Sequence, residues 1–128
     1  MVNQPASVDL LKDIVAAFND HDLDAIMEYF HDDCTLDMPR GPEPWGSRYA
    51  GKTDVRAALA GRFTGIPNVH YGDDSHWVSG NMGVSEWLLT GTSVDGRQFR
   101  VRGCDHYTFH DGKISRKDSY WKIVEQDA

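Results

Sequence analysis

The sequence predicts one α+β domain, with helices first and antiparallel strands after them, and three observations carry that expectation. Apolar residues recur at helical spacing as far as Phe63; from Val69 onward they alternate with period two; and the alternating runs are parted by the turn signals SGN, VDGR and HDGK. A chain of 128 residues suits one core with a modest internal pocket, so residues 1–128 are read as a single domain.

Ser7 is placed to cap a helix from residue 8 to about 19, in which Val8, Leu11, Ile14, Val15 and Phe18 form one stripe. Asp22 opens a shorter helix with Leu23, Ile26, Met27 and Phe30 on its apolar side. CTLDMP, residues 34–39, reads as a strand stopped by proline, and RGPEPWGSRYAG after it as a long loop able to cover a pocket. Val55, Ala58, Leu59 and Phe63 predict a third helix over 52–63, closed by Gly65 and Pro67. Strands follow at about 69–78, 83–94, 98–110 and 113–124, making a curved sheet with the helices on one face.

Composition excludes several classes of function. The formal charge of −7, from 13 basic and 20 acidic residues, repels phosphate backbones and anionic lipid, so neither nucleic acid nor a membrane surface is an expected partner. No apolar run reaches bilayer length, and MVNQPASVD lacks the basic and apolar regions of a signal peptide, which together predict a cytoplasmic protein. Cys34 and Cys104 have no metal-ligand spacing and read as reduced, partly buried thiols. His106 and His110 share a strand face but stand too far apart for one ion without a third ligand, so no metal is expected. There is no Gly-rich phosphate cradle and no nucleophile elbow, which points to chemistry without a cofactor.

The stretch GCDHYTFHDGKI holds the main candidate. Positions 99, 101, 103, 105, 107 and 109 share a strand face, so Asp105 stands among Phe99, Val101, Tyr107 and Phe109, while Arg100, Arg102, His106 and His110 point away. A carboxylate there costs free energy unless it is paired, protonated or used. A two-residue turn at Asp111 and Gly112 would set Asp118 across from Asp105. A three-residue loop would instead bring Ser115, Lys117, Ser119, Trp121 and Ile123 to that face, and this register sorts apolar from polar better. Alone, Asp105 would serve as a general acid; paired with Lys117, as a base or charge partner.

Glu86, in phase with Met82, Val84 and Leu88, is a second acid that could look into the cavity. Asp37 reads as a solvent-facing strand residue, and only one of His70 and Tyr71 can face inward. Phe18, Met27, Met38, Trp45, Tyr49, Tyr107 and Trp121 are candidates to line a pocket for a flat, mostly apolar molecule, with Arg48 orienting an anionic group at its mouth.

FNDHDLDAIMEYFHDDCTLDMP, the GKTDVRAAL helix and VRGCDHYTFHDGKISRKDSYWK, in that order, resemble the nuclear transport factor 2-like superfamily and its SnoaL-like and ketosteroid-isomerase-like branch, over about residues 8–124. The resemblance implies a cone-shaped, cystatin-like barrel, in which a strongly bent, mixed but mostly antiparallel sheet wraps the N-terminal helices around a cavity open at one end. It also implies homodimers through the outer sheet face. Ketosteroid isomerases move a proton with a basic aspartate, a tyrosine and a protonated aspartate. On this resemblance Asp105 takes the place of the protonated aspartate, Met38 that of the base, with Asp37 one residue off, and Ile14 that of the tyrosine. The histidine and aspartate of SnoaL-type cyclases fall on Asp105 and Ser119. The implied function is cofactor-independent isomerase, cyclase, hydratase or hydrolase chemistry on a small apolar carbonyl or polyketide-type molecule, with Asp105 assisted by Glu86 or Lys117. The rivals are a non-catalytic binding domain and a dimerisation module.

Overall fold

Helix α1 (Val8–Asn19) starts where the Ser7 hydroxyl accepts the Leu10 amide, and it buries Leu11, Ile14, Val15 and Phe18. Its far end is tied down by Asn19, whose side chain accepts the Tyr71 amide at 2.8 Å and donates to the Tyr71 carbonyl at 2.9 Å. Asp22 caps α2 (Leu23–Glu28) through the Ala25 amide. The structure, a computed structural model, describes residues 6–125. Among them follow β1 (Phe30–Glu43), β2 (Gly46–Ala50), α3 (Lys52–Gly65), β3 (His70–Ser79), β4 (Met82–Thr92), β5 (Gln98–His110) and β6 (Lys113–Trp121).

The strands form one sheet in the order β2-β1-β6-β5-β4-β3, parallel between β1 and β6 and antiparallel elsewhere. It curls over α1 and α3 without closing, and the core lies in the hollow. Leu11, Ile14 and Phe18 meet there with Trp87, Leu89, Val101, Tyr107 and Ile114. Among the described residues no helix is long and apolar enough to cross a membrane, and both cysteines are free.

Two local features differ from the sequence-based expectation. The segment expected as a loop is a hairpin: β1 runs on to Glu43 and returns as β2. Pro39 does not stop it, because pairing with β6 ends at Asp37 and a missing N–H beyond that point costs no ladder bond. Gly46 permits the reversal, with φ of 82° and a backbone approach that would put a Cβ 1.9 Å from the Met38 carbonyl oxygen. The second difference is in the β5–β6 hairpin, which turns in two residues, Asp111 and Gly112, both left-handed at φ 52° and 74°. Phe109 then pairs with Ile114 but Thr108 with Arg116, so Ser115 is an extra, bulged residue whose hydroxyl donates to the Thr108 carbonyl at 3.0 Å. The bulge delivers the expected faces by a different device. Lys117, Ser119 and Trp121 turn inward with Asp105, and Arg116 and Asp118 outward; Ile123 lies beyond the strand, 92% exposed.

Candidate functional site

The sheet register sets a polar row across the apolar floor of the hollow. Asp105 on β5 stands between Ser119 on β6 and Ser85 on β4, and Ser85 faces His76 on β3. Lys117, one step along β6, reaches back over the Phe18 ring at 5.3 Å. Its Nζ donates to Asp105 Oδ1 and to Ser119 Oγ, both at 2.9 Å. The Ser119 hydroxyl donates to the same Oδ1 at 2.5 Å, and the Trp87 indole N–H to Oδ2 at 2.9 Å. All four side chains are buried. Beside them the Tyr107 hydroxyl has no hydrogen-bond partner among the described residues; burial, and then the Asp105 charge, hold its pKa well above the ordinary tyrosine value.

Gly103 makes room for the indole. A Cβ at this position would lie 2.7 Å from two Trp87 ring atoms and 2.5 Å from the Tyr120 carbonyl oxygen. Gly103→Ala is therefore expected to destabilise the protein by about 1–3 kcal/mol, measured as a shift in urea midpoint, by driving Trp87 off Asp105.

Over this cluster lies a void of about 10 Å³, room for one water, bounded by Lys117, Ser119, Trp87, Tyr71, Arg62 and Trp121. Above it opens a groove of about 420 Å³ lined by Met38, Tyr49, Arg62, Phe99 and Trp121. Met38, Arg62 and Trp121 line both, with the guanidinium 4.6 Å over the indole ring. Burial pushes the Tyr71 pKa up to about 12, against an opposing pull from Arg62.

The sequence profile of the SnoaL-like domain matches residues 11–117. The chain belongs to the SnoaL-like domain family. A provisionally assigned polyketide cyclase from Pseudomonas putida is similar in structure, with a TM-score of 0.79, 20% identity, and coverage of 89% of this chain and 90% of that one. A nuclear transport factor 2-like protein of unknown function from Burkholderia pseudomallei aligns at 0.79 with 21% identity, over 89% and 88%. A protein of unknown function with a cystatin-like fold from Xanthomonas campestris aligns at 0.79 with 17% identity, over 91% and 90%. At these identities the likeness is one of fold. No curated protein matches the sequence.

In this SnoaL-like domain the structure brings together Asp105, Lys117 and Ser119, with Tyr107 beside them and Phe18 beneath. Met38, Tyr49 and Trp121 line the groove above. Ile14, which the resemblance sets in the place of the isomerase tyrosine, is core at 1% exposure. Tyr71 takes the inward place and leaves His70 exposed.

Glu86 is a correction: it lies on the outer face, bound to Arg102 at 2.7 Å. Strand β4 is apolar on both faces, and burying Trp87 and Leu89 decides which one turns in. Trp45 is another, because it is 44% exposed and stacks on Arg48 at 5.0 Å instead of lining the groove. Arg48 in turn lies on the outer face, where it grips Asp37 with Nε at 2.8 Å from Oδ1 and Nη2 at 3.1 Å from Oδ2. Asp37 does point outward, yet it has no exposed surface, because Arg48 and Arg116, the latter 3.0 Å from Oδ2, lie over it.

Sequence reasoning missed Trp87, Ser85, His76 and Arg62. The first two had a signal in their period-two spacing with Leu89. His76 Nδ1 lies 2.8 Å from Ser85 Oγ and its Nε2 2.6 Å from Asp74 Oδ2, a chain running from the polar row to the surface. The histidine pair weighed for a metal does not converge either; His110 meets His31 and Asp111 instead, with ligand atoms within 4.8 Å of one another, at the end of β5 remote from the groove. There His31 Nδ1 accepts the Asp33 amide at 3.0 Å.

Proposed function

We propose that this SnoaL-like domain carries out cofactor-independent acid/base chemistry of the isomerase or cyclase type on a small carbonyl compound with a flat apolar body. The observation that carries the proposal is the buried ion pair of Asp105 with Lys117, which together with Ser119 reaches the void beneath the groove, beside the partnerless Tyr107 hydroxyl. Hydrophobic residues of similar volume would fill this place at no greater cost, so stability alone does not account for a buried ion pair here. Asp105 is the base in this reading, taking a proton from the carbon next to a carbonyl. Lys117 and Ser119 line the void and meet the oxygen as negative charge develops on it, and Tyr107 offers a further donor. Admission of the reacting carbon to the void requires the Trp121 ring to turn aside at the end of β6, with Arg62 remaining at the rim of the groove. A homodimer across the outer sheet face belongs to the same proposal, supported by the exposed Trp77, Met82 and Tyr120 on that face.

A second reading is favoured by the small size of the void: a binding domain that holds its ligand in the groove without turnover. Deuterium exchange separates the two. With 2-tetralone in heavy water near neutral pH, an acid/base enzyme accelerates loss of the protons next to the carbonyl, saturably and dependent on Asp105. Binding without acceleration supports the second reading and rejects the first.

A further inference from the structure

The cations of this acidic protein are divided in a way its net charge conceals. Of the 13 lysines and arginines, six (Arg48, Lys52, Arg56, Arg102, Arg116 and Lys117) contact a carboxylate. Among the described residues the other seven have no such contact, and five of those, Arg40, Arg62, Arg97, Arg100 and Lys122, line the mouth of the cone. They surround two contiguous hollows of about 580 and 420 Å³, whose lining among the described residues includes a single acid, Glu43. Asp105 below is matched by Lys117. Among the described residues the charges lining the mouth are therefore mostly positive although the chain carries −7, and opposing charges more than about 8 Å away are screened at physiological salt.

Arg62 is the most constrained of the five. It is half-buried, lies on the Trp121 ring at 4.6 Å, and belongs to the linings of both groove and void. A guanidinium held flat in this way presents a fork of donors already oriented for a planar anion. Trp121 and Phe99, with ring centroids 6.3 Å apart, and a second arginine, Arg97, 4.9 Å over Phe99, supply apolar faces beside it. Arg62 sits in the last turn of α3, the negative end of the helix dipole, which opposes any anion and a dianion such as a phosphate ester more than a carboxylate.

We infer that the ligand is a flat, mostly apolar carboxylic acid, its carboxylate on Arg62 at the rim and its body between Phe99 and the Trp121 ring turned aside, reaching toward the Asp105 cluster. The inference rests on the acid/base reading and supplies its substrate class. It also moves the anion-orienting role expected of Arg48 to Arg62.

The test is binding of 2-naphthoate against its neutral counterpart 2-acetylnaphthalene, followed by tryptophan fluorescence on the full chain. Naphthoate is expected to bind at least about tenfold more tightly, and Arg62→Gln to abolish that preference, as expected for loss of a charge-assisted pair. Raising salt from 50 to 300 mM should weaken naphthoate alone. Arg62→Lys, which keeps the charge and loses the fork, should fall between, and it serves as the variant of record if Arg62→Gln does not fold. Equal binding of the two compounds, a preference that survives Arg62→Gln, or no binding of either at millimolar concentration overturns the inference. Exchange of neutral 2-tetralone is read separately, so the acid/base proposal can stand while this one fails.

Discussion

Replacing Lys117 by methionine is expected to destabilise the protein by about 3–5 kcal/mol, because it strands the Asp105 carboxylate in an apolar site. The two side chains are 8% and 5% exposed, so water cannot take over the lost contact. Ser119 and Trp87 would still donate to the carboxylate, but neither carries a compensating charge. Urea denaturation measures the loss. The double variant Lys117→Met with Asp105→Leu should recover most of it, since two well-packed apolar residues remove both charges together. Asp37→Ala makes an instructive contrast, because its partners Arg48 and Arg116 are 44% and 47% exposed and can rehydrate; its cost should be visibly smaller. Equal losses at Asp37 and Lys117 would contradict this account of burial.

The second large effect is on chemistry. Asp105→Asn keeps the shape of the side chain and an oxygen for Lys117 and Ser119, but it cannot take a proton. Exchange of the 2-tetralone protons is expected to fall by about 10²–10⁴-fold, the usual worth of a positioned general base, while binding in the groove above stays within about threefold. Ser119→Ala should reduce exchange less, because Lys117 and Tyr107 remain to meet the oxygen. A parallel loss of binding and exchange in Asp105→Asn would mark the carboxylate as a support for the pocket, not its reactive group.

Much of this arrangement is legible in the sequence, for identifiable reasons. Ser7 and the α1 stripe fix the first helix, and strict alternation fixes β5, which exposes Asp105 as the lone acid in an apolar row. The face shared with Lys117 and Ser119 also follows, because sorting apolar from polar leaves little choice of register. What is not legible depends on partners distant in the chain or on exceptions to local rules. Asp37 looks like an ordinary surface acid until Arg48 and Arg116, 11 and 79 residues away, are laid over it. Glu86 sits on a strand with apolar residues on both faces, so period two gives the alternation but not its phase. The Pro- and Gly-rich segment 40–50 carries every sign of a loop, and only the loss of the β6 neighbour lets it continue as a strand. The bulge at Ser115 leaves no mark in the sequence, and Arg62 is one charge among many until the groove is formed around it.

A crystal structure of the protein with 2-tetralone bound decides whether the groove leads to Asp105. The expected complex has Trp121 turned aside and the carbonyl oxygen about 2.7–3.2 Å from Lys117 Nζ or Ser119 Oγ, with Asp105 against the neighbouring carbon. A ligand confined to the outer groove, with Trp121 in place and the Asp105, Lys117 and Ser119 contacts unchanged, would contradict it.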